Sequence, residues 1–198
     1  MHAMAAAMPQ PDAPGVLDDL TLRRAQAGDH GAWRVLVDCF GDPVHALIWR
    51  LLAGRAQHRA QDLTQETFVR VLRALPRFDP RGPAKLSTWI LTIATRLALN
   101  ELRRPEPAAL ADEPAVAPHV EHDLERKRLG ETIATGIASL PDAQRAVLVL
   151  REYHELEYGE IAEALELDLG TVKSRLARAR AALRDYLTAA MPELGDRR

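Results

Sequence analysis

Apolar positions spaced by three and four residues mark out a succession of helices along the chain. Val16 to Ala27 is the first, ended by Gly28-Asp29. Ala32 to Phe40 is the second, with Trp33, Leu36, Val37 and Phe40 on one face. Gly41-Asp42-Pro43 then predicts a turn, and Val44 to Ala53 a third helix with Leu47, Ile48, Leu51 and Leu52 inward. Ala60 to Leu75 carries Leu63, Thr67, Phe68, Val71, Leu72 and Leu75 on a core face, and Asp62, Gln65, Glu66, Val69 and Arg73 outward. Three prolines and a glycine break the pattern around Asp79 to Ala84. Ser87 or Thr88 is placed to cap a helix running to about Arg104, with Trp89, Ile90, Ile93, Leu97 and Leu102 inward and Arg96, Asn100, Arg103 and Arg104 outward.

The pattern stops at Pro105 and resumes near Glu121. The proline- and alanine-rich stretch between them, with Glu106, Asp112 and Glu113, forms no core and reads as an extended linker. Glu121 to Ser139 is the next helix, expected to bury Leu124, Leu129, Ile133 and Ile137. Leu140-Pro141-Asp142 starts another that runs to His154, with Val147, Leu148 and Leu150 packing beneath the last two helices. Those two fall in Tyr158 to Leu187. The first carries Ile161, Ala162 and Leu165 inward and Glu160 and Glu163 outward, and Glu166-Leu167 makes the break. Asp168 is the N-cap of the second, accepting from the amides of Gly170 or Thr171. Leu169, Val172, Leu176, Ala179 and Leu183 then form one apolar stripe. The expected fold is all-α: two small helical domains, residues 16–104 and 121–190, joined by a flexible linker at 105–120, with tails at 1–15 and 191–198.

Composition agrees with this. Aromatics make up 5% of the chain while Ala, Leu and Arg abound, which favours helix over sheet, and 198 residues suffice for two small domains. No apolar run is long enough to span a membrane, and the N-terminus lacks the basic segment of a signal peptide; Met4 or Met8 also offers a start. Cys39 is the only cysteine, so an internal disulfide is impossible and a reducing cytoplasm fits. It reads as a small core residue. His119 and His122 lack the further ligands a metal needs. No Gly-rich phosphate loop and no nucleophile with a base at recognisable spacing occurs, so neither an enzyme activity nor a cofactor has sequence support.

Charge changes the picture at the C-terminal end. The net charge is −2, whereas a protein that simply coats nucleic acid is usually basic overall. Yet no acid falls between Asp168 and Asp185, and at about 100° per residue Thr171, Ser174, Ala177 and Arg178 oppose the apolar stripe, flanked by Lys173, Arg175, Arg180 and Arg184. A short capped turn leading into a helix that is apolar on one side and basic on the other is the layout of a helix-turn-helix. Ser174 and Ala177 keep the centre slim, and Arg178 can read a guanine edge in bidentate fashion, worth about 1–3 kcal/mol of discrimination. Lys173, Arg175 and Arg180 suit phosphates, which position without reading sequence. The basic loop with Arg81 and Lys85 is either a plain surface loop or, with the helix that follows it, a holder of single-stranded nucleic acid, and the residues alone favour the former. The acidic face with Asp62 and Glu66 is either a solvated surface or a docking site for a basic helical partner, and composition does not decide between them.

Two stretches also carry a family resemblance. DLTQETFVRVLRALPRFDP with STWILTIATRLALNELRR resembles the second conserved region of bacterial extracytoplasmic-function (ECF) sigma factors, group IV of the sigma superfamily. LPDAQRAVLVLREYHELEYGEIAEALELDLGTVKSRLARARAAL resembles their fourth region, and together they cover residues 17 to 187. The resemblance implies a subunit that binds core RNA polymerase and directs it to promoters. Asp62, Gln65 and Glu66 would meet the β′ clamp helices, with the β subunit a further contact. Phe78, Arg81, Lys85, Arg96 and Asn100 would recognise and open the −10 element. Arg151, Tyr158, Thr171, Lys173, Ser174, Arg175 and Arg178 would read the −35 element, and the linker would thread the polymerase cleft. An anti-sigma factor holding the chain inactive is implied as well. Ala177 stands where some relatives carry a bulky residue, and Trp89 is not part of an aromatic cluster of the primary sigma type. The alternative from another class is a sigma mimic that sequesters an anti-sigma factor; such a module has no need of the basic face from Lys173 to Arg184.

Overall fold

The computed structural model describes residues 17–53, 55–104 and 124–192, and every regular element among them is helical. The N-terminal tail, the linker and the His119/His122 pair lie outside the described residues. We number the helices α1 (Asp19–Gln26), α2 (His30–Leu51), α3 (Ala60–Ala74), α4 (Leu86–Leu102), α5 (Leu124–Ala138), α6 (Asp142–Glu152), α7 (Tyr158–Leu165) and α8 (Leu169–Ala190). Short 3-10 turns at Gln57–Arg59 and Leu75–Arg77 bracket α3.

The first bundle, α1 to α4, is built around α2. Asp18 caps α1 by accepting from the Thr21 amide at 2.9 Å, and Asp29 caps α2 by accepting from the Ala32 amide at 2.9 Å. Contrary to the turn expected at Gly41-Asp42-Pro43, α2 is one continuous helix with Pro43 inside it. An interior proline costs about 3 kcal/mol. Leu36, Phe40, Val44, Leu47, Ile48 and Leu51 form an unbroken stripe no more than 2% exposed. Burying each such side chain contributes about 1.5–3 kcal/mol, so the stripe outweighs the local signal. The stripe packs against α4, whose Ile90, Leu91, Ala94 and Ala98 are equally buried. Helix α4 begins at Leu86 with Lys85 as N-cap and no capping side chain, so neither Ser87 nor Thr88 takes that role. Leu72, expected in the core, is 46% exposed.

The second bundle, α5 to α8, packs α8 against α5, α6 and α7. Gly136 of α5 is the close approach to α8: a Cβ there would lie 2.7 Å from Leu183 Cδ1 and 2.8 Å from Tyr186 Cδ1. Val147, Leu148 and Leu150 are buried as expected and Ile137 with them, while Leu129 and Ile133 are half-buried.

The two bundles do not stand apart. Helices α4 and α7 pack together, as do α2 and α6, and one apolar cluster runs through both. Between them the buried guanidinium of Arg145, on α6, donates to five carbonyls. Three belong to the end of α5 and the turn after it (Ile137 at 3.2 Å, Ala138 at 2.8 Å, Leu140 at 2.9 Å) and two to the end of α2 (Leu51 at 2.8 Å, Ala53 at 2.9 Å). A helix C-terminus leaves its last carbonyls without intrahelical donors and carries partial negative charge, so one cation satisfies two helix ends. Nearby, the Arg50 guanidinium lies 4.3 Å from the Tyr153 ring centroid, and His154 is buried with no partner for Nε2 among the described residues. Burial first, and then the Arg50 charge, push the His154 pKa down to about 4.

Candidate nucleic-acid interface

Helices α7 and α8 form the pair read from the sequence. Glu157 and Glu160 make a reciprocal capping box at the start of α7, with the Glu157 amide donating to Glu160 Oε2 at 2.8 Å. Helix α7 ends on Glu166 in the left-handed region (φ 55°), and the Leu167 amide closes back on the Ala162 carbonyl at 2.8 Å. Asp168 then caps α8, accepting from the Thr171 amide at 2.7 Å and from the Thr171 hydroxyl. The hydroxyl and the amide together hold its carboxyl below the usual carboxylate range.

Val172, Leu176 and Ala179 face inward on α8, at most 2% exposed. Leu169 does not join them. It opens the helix and is 46% exposed. Outward lie Lys173, Ala177 and Arg178, with Thr171, Ser174 and Arg175 half-buried beside them. Ser174 Oγ donates to the Thr171 carbonyl at 3.1 Å, which holds its bulk against the helix. Lys173, Arg175 and Arg178 have no ion-pair partner among the described residues, whereas Arg180 donates to Glu152 at 2.9 and 2.6 Å, which raises its pKa. Arg151 and Tyr158 sit differently from the rest of the set. Arg151 is half-buried, donates to the Leu156 carbonyl at 2.9 Å and to Glu157 at 3.1 Å, and lies 5.2 Å from the Tyr158 ring centroid. Both brace the loop that leads into α7.

The second basic surface is the loop before α4. Asp79 organises it, accepting from the Arg81 amide at 2.9 Å through its side chain and from the Gly82 amide at 3.0 Å through its carbonyl. This leaves Arg81 and Lys85 exposed. Phe78 stacks on Trp89 with centroids 4.9 Å apart, and its carbonyl accepts from Gln26 at 2.7 Å, so the base of the loop is tied to α1. Asn100 is exposed and accepts from Arg103 at 3.3 Å. Arg96 is brought to α7 rather than left free: its Nε donates to the Ala164 carbonyl at 3.4 Å, and its Nη2 lies 3.0 Å from the Glu166 carboxylate.

On α3, Asp62, Gln65 and Glu66 are exposed, but the acids have cationic partners, Asp62 with Arg59 at 3.0 Å and Glu66 with Arg70. Sequence reading missed the groove beside them. It has a volume of about 430 Å³ and is lined by Trp33, Val37, Phe68, Val69 and Leu72, with Val69 and Leu72 45% and 46% exposed. The signal was present: at 100° per residue Gln65, Val69 and Leu72 share one flank of the helix.

Comparison with known proteins places these surfaces in a family. The model for Sigma-70 region 2 matches residues 36–106, and that for Sigma-70, region 4 matches residues 131–183. The chain is 39% identical over 170 residues to the ECF RNA polymerase sigma factor SigE of Mycolicibacterium smegmatis, covering 81% of this chain and 64% of that protein. It is 34% identical over 180 residues to the ECF RNA polymerase sigma factor SigW of Bacillus subtilis, covering 84% of this chain and 94% of that protein. The fold is shared with CnrH in complex with the cytosolic domain of CnrY (TM-score 0.62, 24% identity, 86% of this chain and 96% of that one). It is shared also with the sigma factor RpoE in complex with the anti-sigma factor NepR from Bartonella quintana (TM-score 0.61, 19% identity, 78% and 96%). With both regions matched in order and a relative covered almost end to end, the chain belongs to the ECF RNA polymerase sigma factors.

Proposed function

We propose that this chain binds core RNA polymerase and directs initiation at a restricted set of promoters, with residues 16–104 recognising the −10 element and residues 121–190 the −35 element. The observation that carries the reading is the α8 face. A slim, capped, basic helix end, with Lys173 and Arg178 exposed and unpaired among the described residues, is fitted to a major groove. Arg178 reads a base edge, and Lys173 and Arg175 hold phosphates. Arg151 and Tyr158 support the loop before α7, so their part in reading the −35 element is indirect. On the other bundle, Arg81, Lys85 and the Phe78–Trp89 pair supply charge and stacking for a single strand, the chemistry a melted −10 element needs. Polymerase docks on α3 through Asp62, Gln65 and Glu66 and through the groove that Val69 and Leu72 line, its clamp helices displacing Arg59 and Arg70 from the two acids. An anti-sigma factor is the regulatory partner, as for the sigma factor RpoE held by NepR.

The test is run-off transcription by purified core polymerase plus this chain on a genomic promoter library. Initiation at defined sites is expected, and Arg178→Ala should lower it while core binding persists. Equal loss of polymerase affinity would remove Arg178 from the base-reading set.

A further inference from the structure

We propose that Gln26, at the C-terminal end of α1, is a positioning residue for the loop before α4: it fixes Phe78 and so sets which −10 bases Arg81 and Lys85 meet. This rests on the −10 assignment of that loop made above.

One side-chain nitrogen carries the argument. Gln26 Nε2 donates to the Leu75 carbonyl at 3.0 Å and to the Phe78 carbonyl at 2.7 Å, across 49 and 52 positions of sequence. These carbonyls stand at the first residue and at the C-cap of the 3-10 turn Leu75–Arg77. The Leu75 oxygen has a second donor, the Phe78 amide at 3.0 Å. The Phe78 oxygen has Gln26 alone among the described residues. An unbranched apolar side chain would meet any packing need at this half-buried position. What the amide adds is a donor to the backbone of the loop.

Both ends of the tie are stiff. Helix α1 is locked to α2, because Arg24 pairs with Asp29 at 2.8 Å and Asp29 caps α2 through the Ala32 amide at 2.9 Å. Gly28 makes the turn between the two helices at φ 88°. On the loop side, the Phe78 ring lies 4.9 Å from that of Trp89 on α4. Phe78 is therefore held from two helices, its ring by α4 and its carbonyl by α1. From there to Leu86 the chain passes Pro80 and Pro83, whose rings fix φ, and Asp79 gathers the amides of Arg81 and Gly82. A tip so short and so constrained follows its base. If the Phe78 peptide turns, the side chains of Arg81 and Lys85 shift with it, and recognition groups have to be held to within about 0.5 Å of their productive geometry.

The experiment assembles the full chain with core polymerase and runs transcription from one promoter randomised through its −10 element, sequencing the RNA made. Wild type, Gln26→Met, Gln26→Lys and Arg81→Ala are compared. Methionine matches glutamine in length and favours helix about as strongly, so α1 is kept. Gln26→Met should reduce the preference for favoured over disfavoured −10 sequences by about three- to tenfold, the scale of one neutral hydrogen bond, while pull-down of core polymerase is unchanged. The same library melted beforehand across the −10 element should show the same reduction, because the loop meets the single strand. A ratio between sequences does not depend on how much of the chain is folded, so lost stability alone lowers every yield alike and leaves the preference intact. Gln26→Lys, whose ammonium donates to the same carbonyls, should recover most of the preference. An unchanged preference in Gln26→Met, with Arg81→Ala shifted, overturns the positioning role and leaves the −10 assignment standing. A lysine no better than methionine overturns it too, since the donor then has no bearing. An unchanged preference in both Gln26→Met and Arg81→Ala removes the loop from −10 recognition, and the proposal with it.

Discussion

Replacing Arg145 with methionine tests whether the carbonyl-bound guanidinium is a principal clasp of the fold. Methionine fills a similar volume and removes every donor. Five carbonyls then lose a charged partner. Those of Ala53 and Ala138 belong to half-buried residues and can turn to water, and that of Ile137 keeps the Leu140 amide at 3.2 Å, but Leu51 and Leu140 are at most 3% exposed. Leaving a buried polar group unpaired costs about 1–3 kcal/mol. Against this, the variant no longer has to desolvate a cation, so the net loss should be about 3 kcal/mol. For a chain of this size that lowers Tm by roughly 6–12 °C. Urea unfolding followed by far-UV circular dichroism measures it, with Arg145→Lys as the companion. A lysine keeps the charge but not the planar fork, and should recover less than half of the loss. A midpoint change equivalent to less than about 1 kcal/mol in Arg145→Met would refute the argument, since it would mean the five oxygens find donors without the guanidinium.

Other outcomes concern the interfaces and the buried histidine. Lys173→Ala should weaken promoter binding and flatten the slope of log K against log salt by about one unit; an unchanged slope would take Lys173 off the phosphate backbone. Glu66→Lys and Leu72→Asp should each lower core-polymerase affinity in a pull-down while helicity is kept, and intact affinity in both would move the docking site away from the groove on α3. His154 titrates at about 4 when folded and near 6.5 when not, so the unfolded chain binds the extra proton between those values. Stability should therefore fall as pH drops from about 6.5 to 4, by at most about 3 kcal/mol, and level off below. Arg50 from α2, and Asp19, Lys85, Glu155 and Glu160 around the adjoining cavity, are the charged groups that face this site. His154→Gln, which cannot titrate, should remove that slope; a slope that persists would refute its assignment to His154.

The helix-turn-helix was legible because its signals are local. Asp168, the apolar steps from Val172 to Leu183 and the run of bases all fall within twenty residues, and the structure repeats them nearly position by position. The errors arose where a local cue met a longer-range demand. Gly41-Asp42-Pro43 looks like a turn until the stripe from Leu36 to Leu51 is seen to be buried throughout. Leu72 and Leu169 carry apolar side chains at the edge of a face or the end of a helix, where spacing alone does not say which side of the boundary they take. The packing of the two bundles on each other was not legible at all. Arg145 meets Leu51 and Ala53 across more than ninety positions, through backbone oxygens that every residue possesses, so no side-chain pattern announces the pairing.

Glu166 sits in a left-handed conformation that glycine adopts more readily. A glycine substituted there would relax the backbone and delete the carboxylate that engages Arg96. An easier backbone and the tie between α4 and α7 thus pull in opposite directions at one position. A laboratory selection that rewards heat resistance alone should accept that glycine and, in doing so, discard an ion pair that joins α4 to the helix pair.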